Sequence, residues 1–382
     1  MKKINIVIYG ATGSIGDSAL SVIRDNKEKF MLEGITCNKR IKKLNKIANE
    51  FCVNKIGYNE KLIKIKPKLN GDYTYYPDTS DFENLVSKKT DVIIFAISGT
   101  QVLDLIIKLI QKGKKIGLAN KECIVSFGNN LYDLAKKHSS EIIPLDSEHN
   151  SIFHLLNLNL GKLRSITITA SGGPFLNFKN SDLKHVTPKQ ALKHPIWKMG
   201  KKISVDSATM MNKALEIIEA KYLFNLKDNQ LNALIHPQAI IHGMINYDNG
   251  VSTALMYEPD MKVPVSSLFF GFNKFTKKDK YLDLAKLQNL NFIPIDEKKF
   301  PAMKLLYEIL KMGGLAPHSF SYLNGILVDY FLKGIIKFTD IVDFNSANIE
   351  LIFKKNKNIM KPSIEDIKNL NIWIDKNIYI GS

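Results

Sequence analysis

Cysteine and long apolar runs are both scarce in this chain. Only three cysteines occur, Cys37, Cys52 and Cys123, and none has a partner at metal-binding or redox-motif spacing. This usage predicts reduced thiols and a cytoplasmic protein. No apolar stretch reaches the roughly 18 residues of a membrane span. The apolar part of MKKINIVIYG is also shorter than the roughly 7–15 residues of a signal sequence. We therefore expect no membrane segment and no leader.

Acidic residues are in the minority: 37 stand against 54 basic ones, which gives a formal net charge of +17. Such a charge fits either nucleic-acid binding or the attraction of small anionic ligands. The lysines are scattered, as in KKLNK and KLIKIKPK, and are not interleaved with aromatic residues in one segment. We expect small anions, and neither nucleic acid nor membrane, as partners.

Apolar strand-like segments alternate with helical patterns over the first part of the chain. The strand-like segments are 4–9, 31–37, 91–97, 115–119 and 141–145, with a helical pattern at 101–112 among those between them. This order predicts an α/β fold with a Rossmann-like, doubly wound parallel sheet over 1–148.

The rest of the chain predicts three further parts. Strands near 164–170, 233–235 and 251–257, with helices near 150–158 and 211–224, indicate a catalytic α+β domain over 149–271 with a lid loop at 193–202. Residues 272–300 lack periodicity and are expected to form a linker. The helical pattern over 301–382 predicts a small C-terminal domain.

The sequence GATGSIG follows the first strand and opens a helix. Its glycines, Gly10, Gly13 and Gly16, allow backbone N–H groups to approach a pyrophosphate at the helix N-terminus. The other interpretation is a tight turn between strand and helix that holds no ligand. We expect a dinucleotide here.

The end of the second strand indicates which dinucleotide binds. An NAD site places a carboxylate there for the ribose 2′-hydroxyl. This chain has no carboxylate and instead has Lys39 and Arg40, which favours the 2′-phosphate of NADP unless the two cations are only a solvated loop. Asn120, Lys121 and Glu122 end a later strand and are expected near the nicotinamide; a plain helix start is the alternative.

Three carboxylates have the chemistry of a metal site. Asp146 and Glu148 follow a strand end and, in extended backbone, project to one side, while Glu216 offers a third oxygen ligand on a helix. Such a set suits Mg²⁺ or Mn²⁺, and no cluster at zinc spacing occurs. The alternative for the first two is a helix N-cap and first turn.

A phosphate site is predicted from hydroxyl, amide and ammonium groups. The turn Ser171-Gly172-Gly173-Pro174 joins Ser207, Asn212 and Lys213 as candidate ligands. Between them, 194–200 reads HPIWKMG. We interpret it as a mobile lid that places the Trp197 indole over the ligand. The alternative is an ordinary loop whose tryptophan packs on the surface.

Taken together, the motifs resemble 1-deoxy-D-xylulose 5-phosphate reductoisomerase. They are GATGSIG, LANKE, PLDSEHN, SGGPF, HPIWKMGKKISVDSATMMNKALEIIEA, HPQAIIH and EPDM, in this order. The resemblance implies a homodimer that converts 1-deoxy-D-xylulose 5-phosphate to 2-C-methyl-D-erythritol 4-phosphate with NADPH and Mg²⁺ or Mn²⁺, in non-mevalonate isoprenoid biosynthesis.

The resemblance also implies roles for individual residues. The metal ligands would be Asp146, Glu148 and Glu216. Phosphate would be held by Ser171, Ser207, Asn212 and Lys213. Ser147, Glu148 and Lys121 would meet the substrate hydroxyls and carbonyl, and His194 and Trp197 would close the lid; Lys121, Glu148 and His194 are the catalytic set. NADPH would lie on Gly10, Thr12, Gly13, Ser14 and Ile15, with Lys39, Arg40, Asn120, Glu122 and Gly200 nearby.

The chain departs from the family pattern in three places. Asn38 and Arg40 flank the lysine of the second-strand loop, and Ala239 follows HPQ where the family has serine. In the helical part, 321–325 reads SYLNG where the family typically has Asn-Ala-Ala-Asn-Glu. The last difference concerns the packing of the C-terminal domain.

Two other functions use part of the same sequence. An NADPH-dependent semialdehyde dehydrogenase would need a nucleophilic cysteine, for which Cys123 is the candidate near the cofactor. A redox-sensing, dinucleotide-binding regulator would use the glycine turn but not three carboxylates.

Overall fold

The computed structural model describes residues 2–62, 72–197, 199–271, 282–355 and 359–380. The chain divides into two compact units. The first contains Met1–Asn120, Asn130–Asn150 and Asp260–Lys280; the second contains Lys121–Asn129, Ser151–Pro259 and Tyr281–Ser382. The boundaries predicted from the sequence, at 148, 271 and 300, stay a prediction, and residues 272–281 of the predicted linker lie outside the described part.

A seven-stranded sheet forms the core of the first unit. Its strands are β1 (Ile4–Tyr9), β2 (Phe30–Cys37), β3 (Lys55–Tyr58), β4 (Thr74–Tyr76), β5 (Val92–Phe95), β6 (Lys115–Leu118) and β7 (Glu141–Pro144). The strand order is β4-β3-β2-β1-β5-β6-β7, and every neighbouring pair is parallel. The order reverses between β1 and β5, which is where such sheets bind ligands.

Helices in this part of the chain follow the strands. They are α1 (Ser14–Arg24), α2 (Ile41–Phe51), α3 (Leu103–Ile110), α4 (Lys121–Phe127), α5 (Asn129–Lys137) and α6 (Ser147–Leu156), with 3₁₀ turns at Thr79–Leu85 and Thr100–Val102. Helix α1 forms because a buried apolar stripe, from Ala19 to Ile23, alternates with exposed polar positions. The predicted doubly wound sheet is confirmed.

The second unit contains a four-stranded sheet with the order β11-β10-β8-β9. The strands are β8 (Leu163–Ala170), β9 (Leu231–Ile235), β10 (Ile241–Tyr247) and β11 (Ser252–Met256). Strands β8 and β9 are parallel and the other two pairs are antiparallel. The backbone groups of Ile235 and Ile293 exchange two hydrogen bonds of 2.8 Å, so the connecting segment pairs with β9.

Helices make up the rest of the second unit. They are α7 (Pro188–Ala191), α8 (Lys201–Ala208), α9 (Met211–Leu223), α11 (Leu284–Leu287), α12 (Ala302–Met312), α13 (Ala316–Leu332), α14 (Asp340–Lys355) and α15 (Ile364–Asn377), together with 3₁₀ turns at Asn180–His185 and Asp228–Gln230. Helix α10 (Lys262–Phe270) belongs to the first unit. Helix α13 packs against α4, α8, α12, α14 and α15. The predicted C-terminal helical region is therefore confirmed.

Several elements differ from the predictions. Strands β3, β4 and β10 were not predicted; β3 and β4 have only four and three residues, too few to show a period. The single helix expected after residue 210 is preceded by α8, so Lys201 and Lys202 are helical and not part of the loop. None of the described helices combines the length and apolar character needed to cross a bilayer.

Candidate functional site

The glycine-rich turn after β1 is shaped by close backbone packing. Gly10 has φ +85°, and a Cβ there would lie 2.5 Å from the carbonyl oxygen of Ala96. A Cβ on Gly16 would lie 2.5 Å from the carbonyl oxygen of Ala11. Both positions therefore require glycine. Gly13 is the N-cap of α1 and has no side chain that could bond to the first-turn N–H groups, so these groups can bind an anion.

Basic side chains lie against this turn. Arg40 Nη1 donates to the Thr12 carbonyl oxygen at 3.1 Å, and Lys43 Nζ donates to the same oxygen at 3.1 Å. Lys43 also forms a 2.6 Å ion pair with Asp17. Lys39 is exposed at the end of β2. The structure thus brings Arg40 to the turn, as the NADP prediction needs, and adds Lys43, which the sequence reading missed.

Asn120 holds the loop that follows β5. Its Nδ2 donates to the carbonyl oxygens of Ile97, at 2.6 Å, and Gly99, at 2.9 Å, and the residue is 1% exposed. These contacts fix the loop at the carboxyl end of β5. The predicted contact of Asn120 with NADPH stays a prediction.

Asp146, Ser147 and Glu148 lie at the end of β7. Helix α6 begins at Ser147, so Glu148 is in its first turn and not in extended backbone, and the extended arrangement expected from the sequence is wrong. The reason is local. The backbone N–H of Asn150 donates to the Asp146 carbonyl oxygen at 2.8 Å, so the helix begins at Ser147, about one turn before the predicted start near residue 150. The Ser147 hydroxyl donates to Glu148 Oε2.

In the second unit, Lys121, Asn212, Lys213 and Glu216 form a hydrogen-bonded group that we call the Glu216 cluster. Lys121 Nζ, on α4, donates to Glu216 Oε1 at 3.0 Å and to Asn212 Oδ1 at 2.7 Å. Lys213 Nζ donates to Glu216 Oε2, and Asn212 Nδ2 donates to Glu216 Oε1. Lys121, Lys213 and Glu216 are 8%, 3% and 1% exposed.

The Glu216 cluster contains the kinds of group that both of its predicted uses require. Two buried ammonium groups donate to one carboxylate, and ammonium groups are also charge-assisted donors to phosphate oxygens. The carboxylate oxygens of Glu216 remain hard ligands of the kind that magnesium and manganese prefer. Residues predicted separately for phosphate and for metal are thus bonded to one another.

His194 joins the two serines predicted to bind phosphate. Its Nε2 lies 3.0 Å from Ser171 Oγ and 3.1 Å from Ser207 Oγ. Its Nδ1 accepts from the backbone N–H groups of Ile196, at 3.2 Å, and Trp197, at 2.8 Å. Because Nδ1 is an acceptor, the proton of the neutral ring is on Nε2 and can be donated to a serine oxygen. Burial lowers the pKa of His194 to about 4, which keeps the ring neutral at pH 7.

The turn at 171–174 approaches Ser207 through glycine. Gly172 and Gly173 have φ +89° and +66°, and a Cβ on Gly173 would lie 2.7 Å from the Ser207 carbonyl oxygen. The structure therefore brings Ser171 and Ser207, two of the predicted phosphate ligands, together with His194, which is predicted for the lid.

Trp197 is half-buried in the predicted lid. Its ring lies 6.2 Å from that of His242, which stacks on Tyr257 at 3.9 Å. Gly200 caps α8, and a Cβ there would meet nothing within 4 Å. Lys198, also in the lid, lies outside the described residues. His242 is a contact of the lid that the sequence reading missed, although it ends the quoted motif HPQAIIH.

Glu122 is paired inside the second unit. Its Oε1 lies 3.2 Å from Lys202 Nζ. Burial is the largest single influence and raises the pKa of Glu122, but the positive charges of Lys202 and Lys121 and the hydrogen bonds to the carboxylate together outweigh it, and the pKa is lowered. The carboxylate is therefore ionised and its observed partner is a lysine; its predicted contact with NADPH stays a prediction.

Cys123 lies in the interior of α4 and is 0% exposed. Burial raises the pKa of its thiol well above the ordinary value, and the charge of Glu122 raises it further. A thiolate nucleophile is therefore absent here, which argues against a dehydrogenase that acts through Cys123.

The three predicted metal ligands offer carboxylate oxygens only. Asp146 and Glu148 belong to the first unit and Glu216 to the second. This donor chemistry fits magnesium or manganese and does not fit zinc, which takes sulfur or imidazole nitrogen in most sites. Their joint action on one ion stays a prediction.

Comparisons with known proteins agree along the whole chain. Residues 6–128 match the family model "1-deoxy-D-xylulose 5-phosphate reductoisomerase", 142–224 match its C-terminal domain, and 256–376 match the model "DXP reductoisomerase C-terminal domain". The reductoisomerase of Sulfurihydrogenibium sp. (strain YO3AOP1) is 39% identical over 381 residues, which cover 99% of this chain and 97% of that protein.

Solved structures give the same result. A crystal structure of DOX-P reductoisomerase in complex with NADPH, fosmidomycin and magnesium has a TM-score of 0.87 at 31% identity and covers 98% of this chain and 97% of its own. The Zymomonas mobilis enzyme in complex with NADPH has a TM-score of 0.85 at 32% identity, with 97% of each chain covered.

Proposed function

Because the chain belongs to the 1-deoxy-D-xylulose 5-phosphate reductoisomerase family, we propose that the residues described above form the reductoisomerase site. The protein is an NADPH- and divalent-metal-dependent enzyme that isomerises and reduces 1-deoxy-D-xylulose 5-phosphate. Its product is 2-C-methyl-D-erythritol 4-phosphate, an intermediate of isoprenoid biosynthesis. A dehydrogenase or a regulator without catalysis is not favoured.

The Glu216 cluster is the observation that carries the assignment of residues. It joins a hard oxygen ligand to two buried ammonium groups, and a phosphorylated sugar with chelating oxygens needs both kinds of group. Asp146, Glu148 and Glu216 would hold the metal, which polarises the substrate carbonyl when it is bound. Lys121 would then donate to the substrate oxygens that carry developing negative charge.

The phosphate end is assigned to Ser171, His194, Ser207, Asn212 and Lys213. The neutral His194 ring donates through Nε2, as the serine hydroxyls can through Oγ, so these three residues offer donors to phosphate oxygens. Lys213 adds a charge, and a bound phosphate would compete with Glu216 for its ammonium group. This exchange would leave Glu216 more available to a cation.

Closure of the 193–200 loop would shut water out of the site. His194 links the two events, because the ring that meets the serines also accepts the backbone N–H groups of Ile196 and Trp197. A phosphate bound beside Nε2 therefore biases the position of Trp197. Exclusion of water protects a reactive aldehyde before hydride transfer.

NADPH is assigned to the first unit. The pyrophosphate would lie on Gly10, Thr12, Gly13, Ser14 and Ile15 at the start of α1, where the helix dipole favours an anion. Lys39 and Arg40 would bind the 2′-phosphate, with Lys43 beside them. Ser147, Asn120, Glu122 and Gly200 complete the set proposed for substrate and nicotinamide.

We also propose a homodimer located in the cytoplasm. Strand β11 is at one edge of the second sheet, and no other strand of the described ranges pairs with its outer side. Such an edge supports pairing with a second copy. The three cysteines form no disulfide, in keeping with a reducing compartment. Sedimentation equilibrium would test the dimer, and a monomer would contradict it.

The direct test follows nicotinamide absorbance with purified protein, NADPH and 1-deoxy-D-xylulose 5-phosphate. We expect the absorbance to fall in the presence of Mn²⁺ or Mg²⁺ and to stay constant when chelator is added. Oxidation of NADPH that does not depend on metal would contradict the assignment of the carboxylates.

A further inference from the structure

Lys202, whose side chain is 28% exposed, is the centre of an ionic network with two buried carboxylates in the second unit. Its Nζ lies 2.8 Å from Asp206 Oδ2 and 3.2 Å from Glu122 Oε1. The side chains of Asp206 and Glu122 are 1% and 9% exposed. Asn324 Nδ2 donates to Asp206 Oδ1 at 2.8 Å. Nothing described above as catalytic or binding machinery uses Lys202, Asp206 or Asn324.

Each arm of this network leads to a different element. Glu122 is next to Lys121 in the first turn of α4, and Lys121 belongs to the Glu216 cluster. Lys202 and Asp206 belong to α8, which begins directly after the 193–200 loop. Asn324 belongs to α13 and is in the segment 321–325 that departs from the family pattern.

We propose that Lys202 is a positioning residue of the reaction, which holds the start of α8, and with it the end of the 193–200 loop, to the helix start that carries Lys121. Asp206 and Asn324 fix this connection to α13. The inference rests on the proposed function and adds to it a physical link from the C-terminal helices to the catalytic lysine.

The electrostatics make the link sensitive to the loss of one member. Without Lys202, the buried Glu122 and Asp206 lose their common counter-charge, and a buried carboxylate without one either takes up a proton or moves towards water. Glu122 is adjacent to Lys121, so movement there displaces the Lys121 ammonium. A displacement of about 1 Å in a positioned group can lower a rate by about 10²-fold.

The experiment compares Lys202→Met with Lys201→Met, its exposed neighbour in the same helical turn. We expect Lys202→Met to lower kcat roughly 10–100-fold. Lys201→Met is expected to keep kcat within about twofold, and Lys202→Arg to restore most of the loss because it keeps the charge. Equal kcat values for the Lys202→Met and Lys201→Met proteins would overturn the proposal.

A second variant reaches the network from α13. Asn324→Ala is expected to lower kcat about threefold to tenfold. The double variant Asn324→Ala with Lys202→Met is expected to have a kcat within about twofold of that of Lys202→Met alone. Additive losses would show independent roles and would overturn the link.

A readout without activity separates this inference from the proposed function. In a Trp373→Phe background Trp197 is the sole tryptophan, because the chain has two. We expect Lys202→Met to increase acrylamide quenching of Trp197 about twofold, and unchanged quenching would overturn the proposal. Absence of turnover in the unchanged protein would contradict the proposed function instead, and the quenching result would still decide the role of Lys202.

Discussion

The glycine-rich turn and the Glu216 cluster are built in different ways. The turn at 10–16 is one continuous segment whose shape depends on backbone contacts, such as that of Gly10 with Ala96. The Glu216 cluster joins side chains 91 and 95 residues apart in the sequence, and these side chains are buried. The turn can therefore be recognised in a single sequence, whereas the cluster depends on how α4 packs against α9. We therefore expect the turn to be disrupted by a methyl group added to a glycine, and the Glu216 cluster by the removal of a charge.

The largest effect is expected from Glu216→Gln. The amide keeps the size of the side chain but removes the charge that binds a cation and that offsets Lys121 and Lys213. We expect kcat to fall at least about 10³-fold, or about 4 kcal/mol of transition-state stabilisation, while NADPH binds as before. Steady-state assays and nicotinamide fluorescence measure the two quantities.

Glu350→Gln provides the control for this change, since Glu350 is exposed on α14 and takes no part in the proposed site. It should retain full turnover. If Glu216→Gln also retained turnover, the metal assignment of Glu216 would have to be abandoned.

The next largest effect is expected from Gly10→Ala. The added methyl group lies 2.5 Å from the Ala96 carbonyl oxygen, and φ of +85° is itself unfavourable for alanine by roughly 1–2 kcal/mol. The turn must shift, and we expect the Kd for NADPH, measured by titration, to rise about 10²-fold, or roughly 3 kcal/mol.

Gly250→Ala separates the effect of the positive φ from that of the close contact with the Ala96 carbonyl oxygen. Gly250 has φ +84°, but a Cβ there meets nothing within 4 Å. It should lower stability without changing the Kd for NADPH by more than about twofold. Similar Kd values for both variants would mean that the close approach of Gly10 to Ala96 does not shape the cofactor site.

Replacing Lys39 and Arg40 together by alanine tests what the turn recognises. The change should weaken NADPH about 30-fold and NADH less than about threefold, because only NADPH has the 2′-phosphate and each charge-assisted bond to it contributes about 1 kcal/mol or more. Lys42→Ala, an exposed residue in the first turn of α2 just after this pair, is the control. Equal weakening of NADPH and NADH binding would mean that Lys39 and Arg40 attract both cofactors through their charge and do not recognise the 2′-phosphate.

Local patterns predicted much of this molecule, and tertiary packing explains most of what they missed. The turn and the alternation of strands and helices are predictable because each is encoded in a short stretch of sequence, whereas Asp146, Glu148 and Glu216 are grouped by residue type and by the family resemblance. Lys43 was missed because its place beside Thr12 depends on the packing of α2; its spacing of three from Arg40 on a helix was the available signal. The pairing of Lys213 with Glu216 is an i, i+3 contact, yet the sequence assigned the two to different ligands.

The smallest effect is expected in the segment that departs from the family. Gly325 lies in the middle of α13, and a Cβ there meets nothing within 4 Å. Gly325→Ala should raise the free energy of unfolding in urea by about 0.5–1 kcal/mol, because alanine restricts the unfolded chain more than glycine does. Gly334 also has open space but has φ +75°, so Gly334→Ala should lower stability instead. We expect unchanged kcat in the Gly325→Ala protein, because the added methyl group contacts nothing, and a lower kcat would contradict this expectation.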